Sequence, residues 1–236
     1  NVRYVSIENT YKAVIGGRND GTSGLFQRRS TLGEGKSDGV AIDNQLQAEF
    51  ATGSLQHTVL LGLDAQRFSW TNERSNGTAS TISLSDPRYT SAGNYSMTLG
   101  WAQDVDQKQT GAYIQEQAAL GNWRFSVGGR YDYFDNTMFN AVNGRRFAYN
   151  DHAFTWRTGA VYQFENGIAP FVSYSTSFDP GMLGVAMIND ADVKPVKGKQ
   201  YEAGVKYQPP GSNSLITASV YELSQDNRVV TAGVPS

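Results

Sequence analysis

The sequence predicts an all-β fold, a segment of an antiparallel transmembrane β-barrel. Three observations predict it: an alternating strand pattern, its recurrence along the chain, and an asymmetry between connectors. The pattern is clearest in NWRFSVGGRYDYF (122–134), where the aromatic residues from Trp123 to Tyr133 share one parity and the charged residues share the other. Successive side chains of a strand point to opposite faces. One face of this strand is therefore apolar, and it meets either a protein core or lipid.

The alternating pattern recurs in four other stretches: IDNQLQAEF (42–50), HTVLLGLDAQ (57–66), FTWRTGAVYQF (154–164) and KQYEAGVKYQ (199–208). In the last of these, Tyr201, Val205 and Tyr207 alternate with polar residues. No stretch sustains the 3.6-residue period of an amphipathic helix. We therefore predict strands throughout and no long helix.

The connectors between these stretches are of two kinds that alternate along the chain. Short polar turns lie at 51–56, 120–123, 164–168 and 209–214, and longer Gly/Ser/Asn/Asp-rich connectors lie at about 16–24, 74–104, 136–152, 179–198 and from 225 onward. Short turns at one end of a sheet and long loops at the other are typical of bacterial outer-membrane barrels.

About nine strands are predicted, at 2–15, 25–50, 55–73, 105–119, 123–136, 153–164, 168–178, 199–208 and 214–224. Several exceed the roughly 9–11 residues that cross a bilayer, so the sheet is expected to continue above the membrane. Bacterial barrels have an even number of strands, and lipid cannot satisfy the backbone at an open sheet edge. We therefore expect the chain to be a piece of a larger barrel.

Composition excludes several classes of protein. With no cysteine among 236 residues, the chain forms no disulfide and no thiolate site. A net charge of −2 with scattered charges argues against nucleic acid as a partner. No apolar run approaches the roughly 20 residues of a transmembrane helix, and the first residues lack the basic start and apolar centre of a signal peptide.

No constellation of catalytic or metal-binding residues is predicted. His57 lies beside a short turn and His152 is expected to end a long loop, and neither has metal-ligand spacing around it. No G-x-S-x-G motif occurs, and GGRND (16–20) lacks the strand–turn–helix context of a phosphate loop. We therefore expect neither an enzyme nor a resident cofactor or metal.

The polar face carries more charge than a tight core could bury, so a wide, wet or plugged lumen is predicted. The charged residues assigned to this face are Glu49, Asp64, Glu116, Arg124, Arg130, Asp132, Arg157, Glu202 and Lys206. The aromatic residues assigned to interface girdles on the lipid side are Tyr131, Tyr133, Trp156, Tyr162, Phe164, Tyr201 and Tyr207.

Four longer blocks carry a family resemblance: DNQLQAEFATGSLQHTVLLGLDAQRF (43–68), QKQTGAYIQEQAALGNWRFSVGGRYDYF (107–134), FTWRTGAVYQFENGIAPFVSYSTSFDP (154–180) and KPVKGKQYEAGVKYQPPGSNSLITASVYELSQDN (194–227). They resemble the barrel of TonB-dependent siderophore receptors, in particular the ferrichrome (hydroxamate) receptor type. The blocks follow the family's order and cover most of the chain outside the long connectors.

The resemblance implies a parent receptor of about 22 strands around an N-terminal plug, in the outer membrane of a Gram-negative bacterium. It implies a monomeric barrel, in contact with outer-membrane lipid, that binds a ferric siderophore and imports it with energy relayed by the TonB complex through the plug. Iron would arrive already chelated. Residues 1–236 would form a partial barrel domain without the plug, the TonB box, the first strands or the last strands.

Three aromatic residues share the parity of the polar face near the end of the strands that carries the long connectors. Phe68 and Trp70 continue the register of Asp64, and Phe134 continues that of Asp132. Receptors of the ferrichrome type line their pocket with aromatic residues, so the resemblance implies that these three contact the ligand. The alternative is packing against loops or the plug.

The longest predicted connector, 74–104, carries Tyr89, Tyr95 and Trp101. Loops held by a rigid scaffold often carry function, so these residues are further candidates for ligand contact. Phage or colicin attachment is possible there by family analogy. The alternative is a solvated loop.

Arg124, Arg130, Asp132 and Arg157 are predicted to face the lumen from neighbouring strands. They are candidates to hold the plug by polar contacts. The alternative is cross-strand pairing that satisfies charge within the wall.

Two other functions remain open on the sequence. One is a passive outer-membrane porin or adhesin-like barrel, which a plug with a TonB box would exclude. The other is a soluble all-β domain that binds or hydrolyses carbohydrate, which would be expressed as a soluble monomer without detergent.

Overall fold

The computed structural model describes residues 1–19, 24–89, 95–180 and 194–228. Within these ranges the chain forms nine strands: β1 (Val2–Asn19), β2 (Leu25–Thr52), β3 (Leu55–Ser83), β4 (Thr98–Leu120), β5 (Trp123–Asn140), β6 (Arg146–Tyr162), β7 (Ile168–Asp179), β8 (Val196–Tyr207) and β9 (Ile216–Asp226). Among the described residues no helix is long and apolar enough to cross a membrane.

All nine strands form one antiparallel sheet in sequence order. Each strand pairs with the next along the chain, and no pairing between β1 and β9 occurs in the described part of the chain. The predicted all-β antiparallel fold is confirmed, including the number of strands. The described sheet is an open meander.

Two-residue hairpins connect β2 to β3 and β4 to β5. Thr52 lies opposite Leu55 and Leu120 lies opposite Trp123, with Gly53 (φ 64°) and Gly121 (φ 54°) as the first turn residues. A positive φ at the first central position alone, with Ser54 and Asn122 at negative φ in the second, is the geometry of a type II′ turn, which favours glycine at the first position. These turns lie at the same edge of the sheet as the β6–β7 and β8–β9 connections, which is the short-turn edge.

Strand residues occupy part of two predicted long connectors, 74–104 and 136–152. β3 continues to Ser83 and β4 begins at Thr98, which leaves 84–97 between them, and β5 and β6 leave only 141–145 between them. The long connector predicted at 136–152 is wrong, the one predicted at 74–104 is too long at both ends, and His152 lies within β6. Where both faces of a strand meet water, alternation disappears, and a Ser/Thr/Asn-rich strand then resembles a loop. Residues 20–23, 90–94, 181–193 and 229–236 of the predicted connectors lie outside the described residues.

Strands β2 and β3 contain 28 and 29 residues. This length is between two and three times the roughly 9–11 residues that a tilted strand needs to cross a bilayer. The sequence-based expectation that the sheet continues well beyond a membrane is consistent with these lengths. The extra length lies on the side opposite the short-turn edge.

The pairing register separates the sheet into two faces. One row across five strands consists of Leu46, Leu61, Ile114, Gly129 and Trp156, and the adjacent row consists of Gln45, Gly62, Tyr113, Arg130 and Thr155. We call the first face the outer face and the second the inner face. Large apolar residues of the outer face are exposed, among them Leu46, Leu63, Ile114 and Phe154.

Glu116 does not lie on the polar face. It lies opposite Val59 and Val127, on the outer face, two residues from Ile114 along the same strand. The assignment of Glu116 to the lumen is therefore wrong. Parity along β4 decides its face, and a charged side chain does not change that parity.

Candidate functional site

Charged side chains of the inner face converge on Arg130. Its Nη1 and Nη2 donate to Oδ2 and Oδ1 of Asp64 at 2.5 and 2.9 Å, and its Nε donates to Oδ2 of Asp132 at 2.7 Å. The two pairs are charge-assisted, and the pair with Asp64 is bidentate, the geometry in which guanidinium–carboxylate contacts are strongest. The three residues link strands β3 and β5 across β4.

Uncharged side chains extend this cluster to β2 and β4. The Tyr113 hydroxyl donates to Oδ1 of Asp43 at 3.0 Å, and the Arg130 guanidinium lies 5.5 Å from the centre of the Tyr113 ring. On the other side, Gln109 Nε2 donates to Oδ1 of Asp132 at 2.8 Å. We call Asp43, Asp64, Gln109, Tyr113, Arg130 and Asp132 the inner polar cluster. It contains three carboxylates and one guanidinium.

Two glycines make room for the inner polar cluster. A Cβ atom at Gly62 would overlap the Tyr113 ring, and one at Gly111 would overlap the Arg130 guanidinium. The large side chains therefore lie flat over the backbone of the neighbouring strand. The cluster depends on these missing side chains as well as on its charges.

The other two predicted lumen residues lie outside this cluster. Arg124 is on the inner face, but its Nη1 donates to the carbonyl oxygens of Gly121 and Trp123 at the short-turn edge. Arg157 is also on the inner face, where its Nη2 donates to Gln115 Oε1. The structure brings Arg130 and Asp132 together and leaves Arg124 and Arg157 with separate local partners.

Phe134 lies beyond the inner polar cluster, away from the short-turn edge, in an aromatic cluster. Its side chain is 2% exposed, and its ring centre lies 5.4 Å from that of Tyr149 and 5.3 Å from that of Phe178. Phe178 reaches it from the end of β7, beyond the last residues that pair with β6. Phe134 is thus packed within the wall of the sheet.

Tyr149 joins this aromatic cluster to a carboxylate. Its hydroxyl donates to Oδ2 of Asp151 at 2.9 Å, and burial together with that carboxylate raises the pKa of Tyr149 above its ordinary value. Asn136, directly opposite Tyr149, is 2% exposed, and its Nδ2 has no hydrogen-bond partner in the described structure.

Phe68 and Trp70 lie on the inner face of β3 and are more accessible than Phe134. Phe68 lies opposite Gly39 and covers it, and its side chain is 37% exposed. Trp70 lies opposite Val105 and is partly buried. An exposed aromatic side chain on an otherwise polar face is available to contact a ligand or a plug.

The three aromatic residues predicted in the 74–104 connector are not grouped. Tyr89 is 84% exposed, and Trp101 belongs to β4, opposite Arg74. Tyr95 lies over the end of β3, where its hydroxyl is 3.2 Å from Ser80 Oγ. The buried guanidinium of Arg28 also binds Ser80, through its carbonyl oxygen and Oγ at 2.7 and 2.8 Å.

Sequence reasoning missed Asp43, Tyr113, Tyr149 and Phe178. Their involvement depends on which residues lie opposite one another in neighbouring strands, and a single sequence does not give that register. The parity of Asp43 and Tyr113 with Asp64 and Arg130 identifies their face but not their contacts. Within the described residues no group of three or more His, Cys, Asp or Glu side chains could hold a metal ion.

An antiparallel meander with an apolar outer face, a polar inner face and strands of up to 29 residues defines a segment of a β-barrel wall. A family model described as "TonB dependent receptor-like, beta-barrel" matches residues 1–236. The chain belongs to this family. The resemblance recognised in the sequence is confirmed.

Curated relatives narrow the comparison to siderophore receptors. The ferrioxamine B receptor of Salmonella typhimurium (strain SL1344) is 35% identical over 226 residues, which are 96% of this chain and 32% of that protein. The ferrichrome outer membrane transporter/phage receptor of Escherichia coli (strain K12) is 35% identical over 214 residues, 86% of this chain and 28% of that protein. The chain spans about a third of the length of the curated relatives that it matches.

Solved structures share the fold at lower identity. The ferric-catecholate import receptor Fiu from E. coli K12, in its closed form, has a TM-score of 0.75 and 17% identity, with 96% of this chain and 38% of that chain covered. FpvA of P. aeruginosa in complex with a heterologous pyoverdine and iron has a TM-score of 0.72 and 20% identity, with 96% and 30% covered.

Proposed function

We propose that the protein carrying this chain is an outer-membrane receptor that imports a ferric siderophore, of the hydroxamate type, with energy from the TonB complex. The family match and the two relatives named for ferrioxamine B and ferrichrome support this proposal. In this proposal the protein is a transporter rather than an enzyme. It needs no resident cofactor, since the iron arrives chelated. A passive porin is not favoured by this family.

The outer face supports the placement in a membrane. Trp123 and Tyr133 are ten residues apart on β5. At about 3.4 Å per residue and a tilt of about 40° they bound a band about 26 Å high, close to the roughly 25 Å apolar band of outer-membrane barrels. Farther from the short-turn edge the outer face becomes charged, with Arg67 Nη2 2.7 Å from Asp106 Oδ2. The short turns would then be periplasmic.

The single observation that carries the proposed mechanism is the inner face, where accessible aromatic side chains follow a polar cluster along the strands. Phe68 and Trp70 are proposed to contact the siderophore, with Phe134 supporting them from within the wall and Tyr89, Tyr95 and Trp101 nearer the extracellular side. Stacking and shape recognition of a chelate require no protein ligand to the iron.

The inner polar cluster is proposed to face the plug. Arg130 uses Nε, Nη1 and Nη2 on Asp64 and Asp132, and the third carboxylate, Asp43, accepts a hydrogen bond from the uncharged Tyr113 hydroxyl instead. The cluster therefore presents excess negative charge, and a basic plug surface would complement it. Arg124 and Arg157 are proposed to contact the plug outside the inner polar cluster, because their local partners hold them apart from it.

Uptake of radioactive iron by a strain lacking the full-length gene tests the proposal. We expect the gene to restore uptake of iron supplied as ferrichrome or ferrioxamine B. This uptake should depend on TonB and should be absent when the iron is supplied with a catecholate siderophore. Uptake that is independent of TonB would favour a pore. Uptake only of a catecholate chelate would refute the hydroxamate assignment while keeping the transport function.

A further inference from the structure

His57 and Glu116 form a pair on the outer face near the short-turn edge. His57 Nδ1 lies 2.6 Å from Glu116 Oε1. The imidazole ring stacks on Phe50, with ring centres 4.7 Å apart and planes at 13°. The stacking and the short hydrogen bond fix the imidazole against the carboxylate.

The surroundings of this pair are apolar. Glu116 lies between Val59 and Val127, and His57 lies opposite Ala118. Toward the extracellular side the next charged row on β3, β4 and β5 consists of Arg67, Lys108 and Asp135. Between that row and the short turns, all residues on the outer face of β2–β6 are described. Glu116 is the one acidic side chain among them. An acidic side chain on a lipid-facing surface is costly unless it is paired.

The hydrogen bonds indicate where the proton lies. His57 is 12% exposed, and its Nε2 is buried without a partner in the described structure. An imidazolium would bury an unpaired N–H at Nε2, whereas a neutral ring with its proton on Nδ1 leaves only an acceptor there. We therefore assign the proton to Nδ1, which donates to Glu116. Glu116 then remains a carboxylate with one unit of negative charge.

One side of this carboxylate is open to the outer face. The Glu116 side chain is 35% exposed. Among the described residues its hydrogen-bond partner is His57, which contacts Oε1. An apolar groove of about 640 Å³ begins at Glu116 and is lined on the same face by Leu55, Leu120, Phe125 and Val172. The groove lies toward the short turns, which are periplasmic in the proposed orientation.

We propose that Glu116, positioned by His57, binds the headgroup of a phospholipid that carries a primary ammonium, with an acyl chain in this groove. A primary ammonium supplies both the positive charge and the N–H donors that an open carboxylate oxygen accepts. A quaternary ammonium has the charge but no donor. The inference rests on the proposed membrane placement and concerns a site separate from siderophore binding.

Native mass spectrometry of the full-length protein in detergent micelles tests this site. The protein is supplied with two phospholipids of identical acyl chains, one with an ethanolamine headgroup and one with a choline headgroup. The wild type should retain the ethanolamine lipid about tenfold more than the choline lipid, the difference expected for one charge-assisted hydrogen bond. Glu116→Gln should lose that preference.

Glu49→Gln is the matched control, since Glu49 lies opposite Thr58, on the inner face of the adjacent strand pair. This variant should keep the wild-type preference. Equal retention of both lipids by a folded wild type, or an unchanged preference in Glu116→Gln, overturns the proposal. A folded Glu116→Gln receptor is recognised by its heat-dependent electrophoretic mobility.

Siderophore binding by the same preparations separates this proposal from the proposed function. A wild type that inserts into micelles and prefers the ethanolamine lipid but binds no siderophore supports the lipid site and refutes the receptor function. A wild type that binds siderophore without any lipid preference refutes the lipid site alone. Failure to insert into micelles would refute the membrane placement and the lipid site together.

Discussion

Arg130 reaches across strand β4 to bind Asp64 of β3 with both terminal nitrogens, at 2.5 and 2.9 Å. Gly111 of β4 lies in register between Asp64 and Asp132, the two carboxylates that Arg130 binds. The guanidinium thus spans three strands because the middle strand has no side chain at that point. On this part of the inner face, side-chain hydrogen bonds connect β3 to β5 where the side chains do not pack into a hydrophobic core.

Replacing Arg130 with Met should destabilise the barrel more than removing an exposed ion pair. The variant leaves Asp64 and Asp132 as neighbouring carboxylates without a cation, and Asp132 is buried. The loss of one partner from such a cluster is expected to lower the free energy of unfolding by about 3 kcal/mol. Urea titration of the full-length protein in micelles measures this free energy for the wild type and the variant.

Arg67→Met is the control for this prediction. Arg67 pairs with Asp106 at 2.7 Å, but the arginine side chain is 61% exposed. Its loss should cost less than about 1 kcal/mol. Equal losses for Arg130→Met and Arg67→Met would show that the inner polar cluster does not stabilise the wall.

Gly111→Ala should displace the Arg130 guanidinium, because the new Cβ would overlap it. A loss of about 1–3 kcal/mol in the free energy of unfolding is expected from overpacking. Gly100→Ala, where the nearest atom to the new Cβ is 3.4 Å away, should have little effect. In the Arg130→Met background the cost of Gly111→Ala should largely disappear; an unchanged cost would place the clash elsewhere.

Phe68→Ala and Phe134→Ala should separate ligand contact from packing. Phe134 is almost fully buried against two rings, so its truncation should cost about 3–5 kcal/mol of stability. Phe68 is partly exposed, so its truncation should change stability by less than about 1 kcal/mol. Loss of a ring that stacks on the ligand should raise the Kd for the ferric siderophore roughly fivefold. An unchanged Kd for Phe68→Ala would remove it from the ligand contacts.

Tyr149 should remain protonated when ordinary tyrosines ionise. Burial first, and the neighbouring Asp151 second, raise its pKa above the roughly 10 of a free tyrosine. Because the folded-state pKa is the higher one, its contribution to stability is fully present below about pH 10 and is lost as the pH rises further. The difference in phenolate absorbance between wild type and Tyr149→Phe should appear only well above pH 10. Asp151→Asn should move it to lower pH, and a difference centred near pH 10 would refute the burial of this hydroxyl.

The two faces of the sheet are predictable from sequence because lipid and water impose opposite requirements on adjacent residues. The alternation from Trp123 to Tyr133 is enough to identify the outer face of β5. The strand pattern fails beyond the aromatic band: Arg74 and Trp101 lie opposite one another in paired strands, yet their polar, glycine-containing surroundings resemble a loop. With water on both faces, no side-chain alternation is required there.

Contacts between strands are not predictable in the same way. Nothing in the sequence places Asp64 opposite Gly111, or brings His57 within reach of Glu116, because register is set jointly by turns and by packing across the sheet. Parity alone was sufficient to assign Glu116 to the outer face, as its neighbours Ile114 and Ala118 show. Treating its charge as the stronger signal leads to the wrong face.

The central claim is that the outer face contacts lipid and the inner face does not. Site-directed spin labelling of β4 tests it most directly, in the full-length protein with any cysteine outside this chain replaced by serine and reconstituted in vesicles; this chain itself contains no cysteine. Single cysteines at Ala112, Ile114, Gln115 and Gln117 would carry the label. We predict that labels at 112 and 114 are accessible to oxygen dissolved in the bilayer, whereas labels at 115 and 117 are not. Equal oxygen accessibility at all four positions, or the opposite parity, would contradict the account.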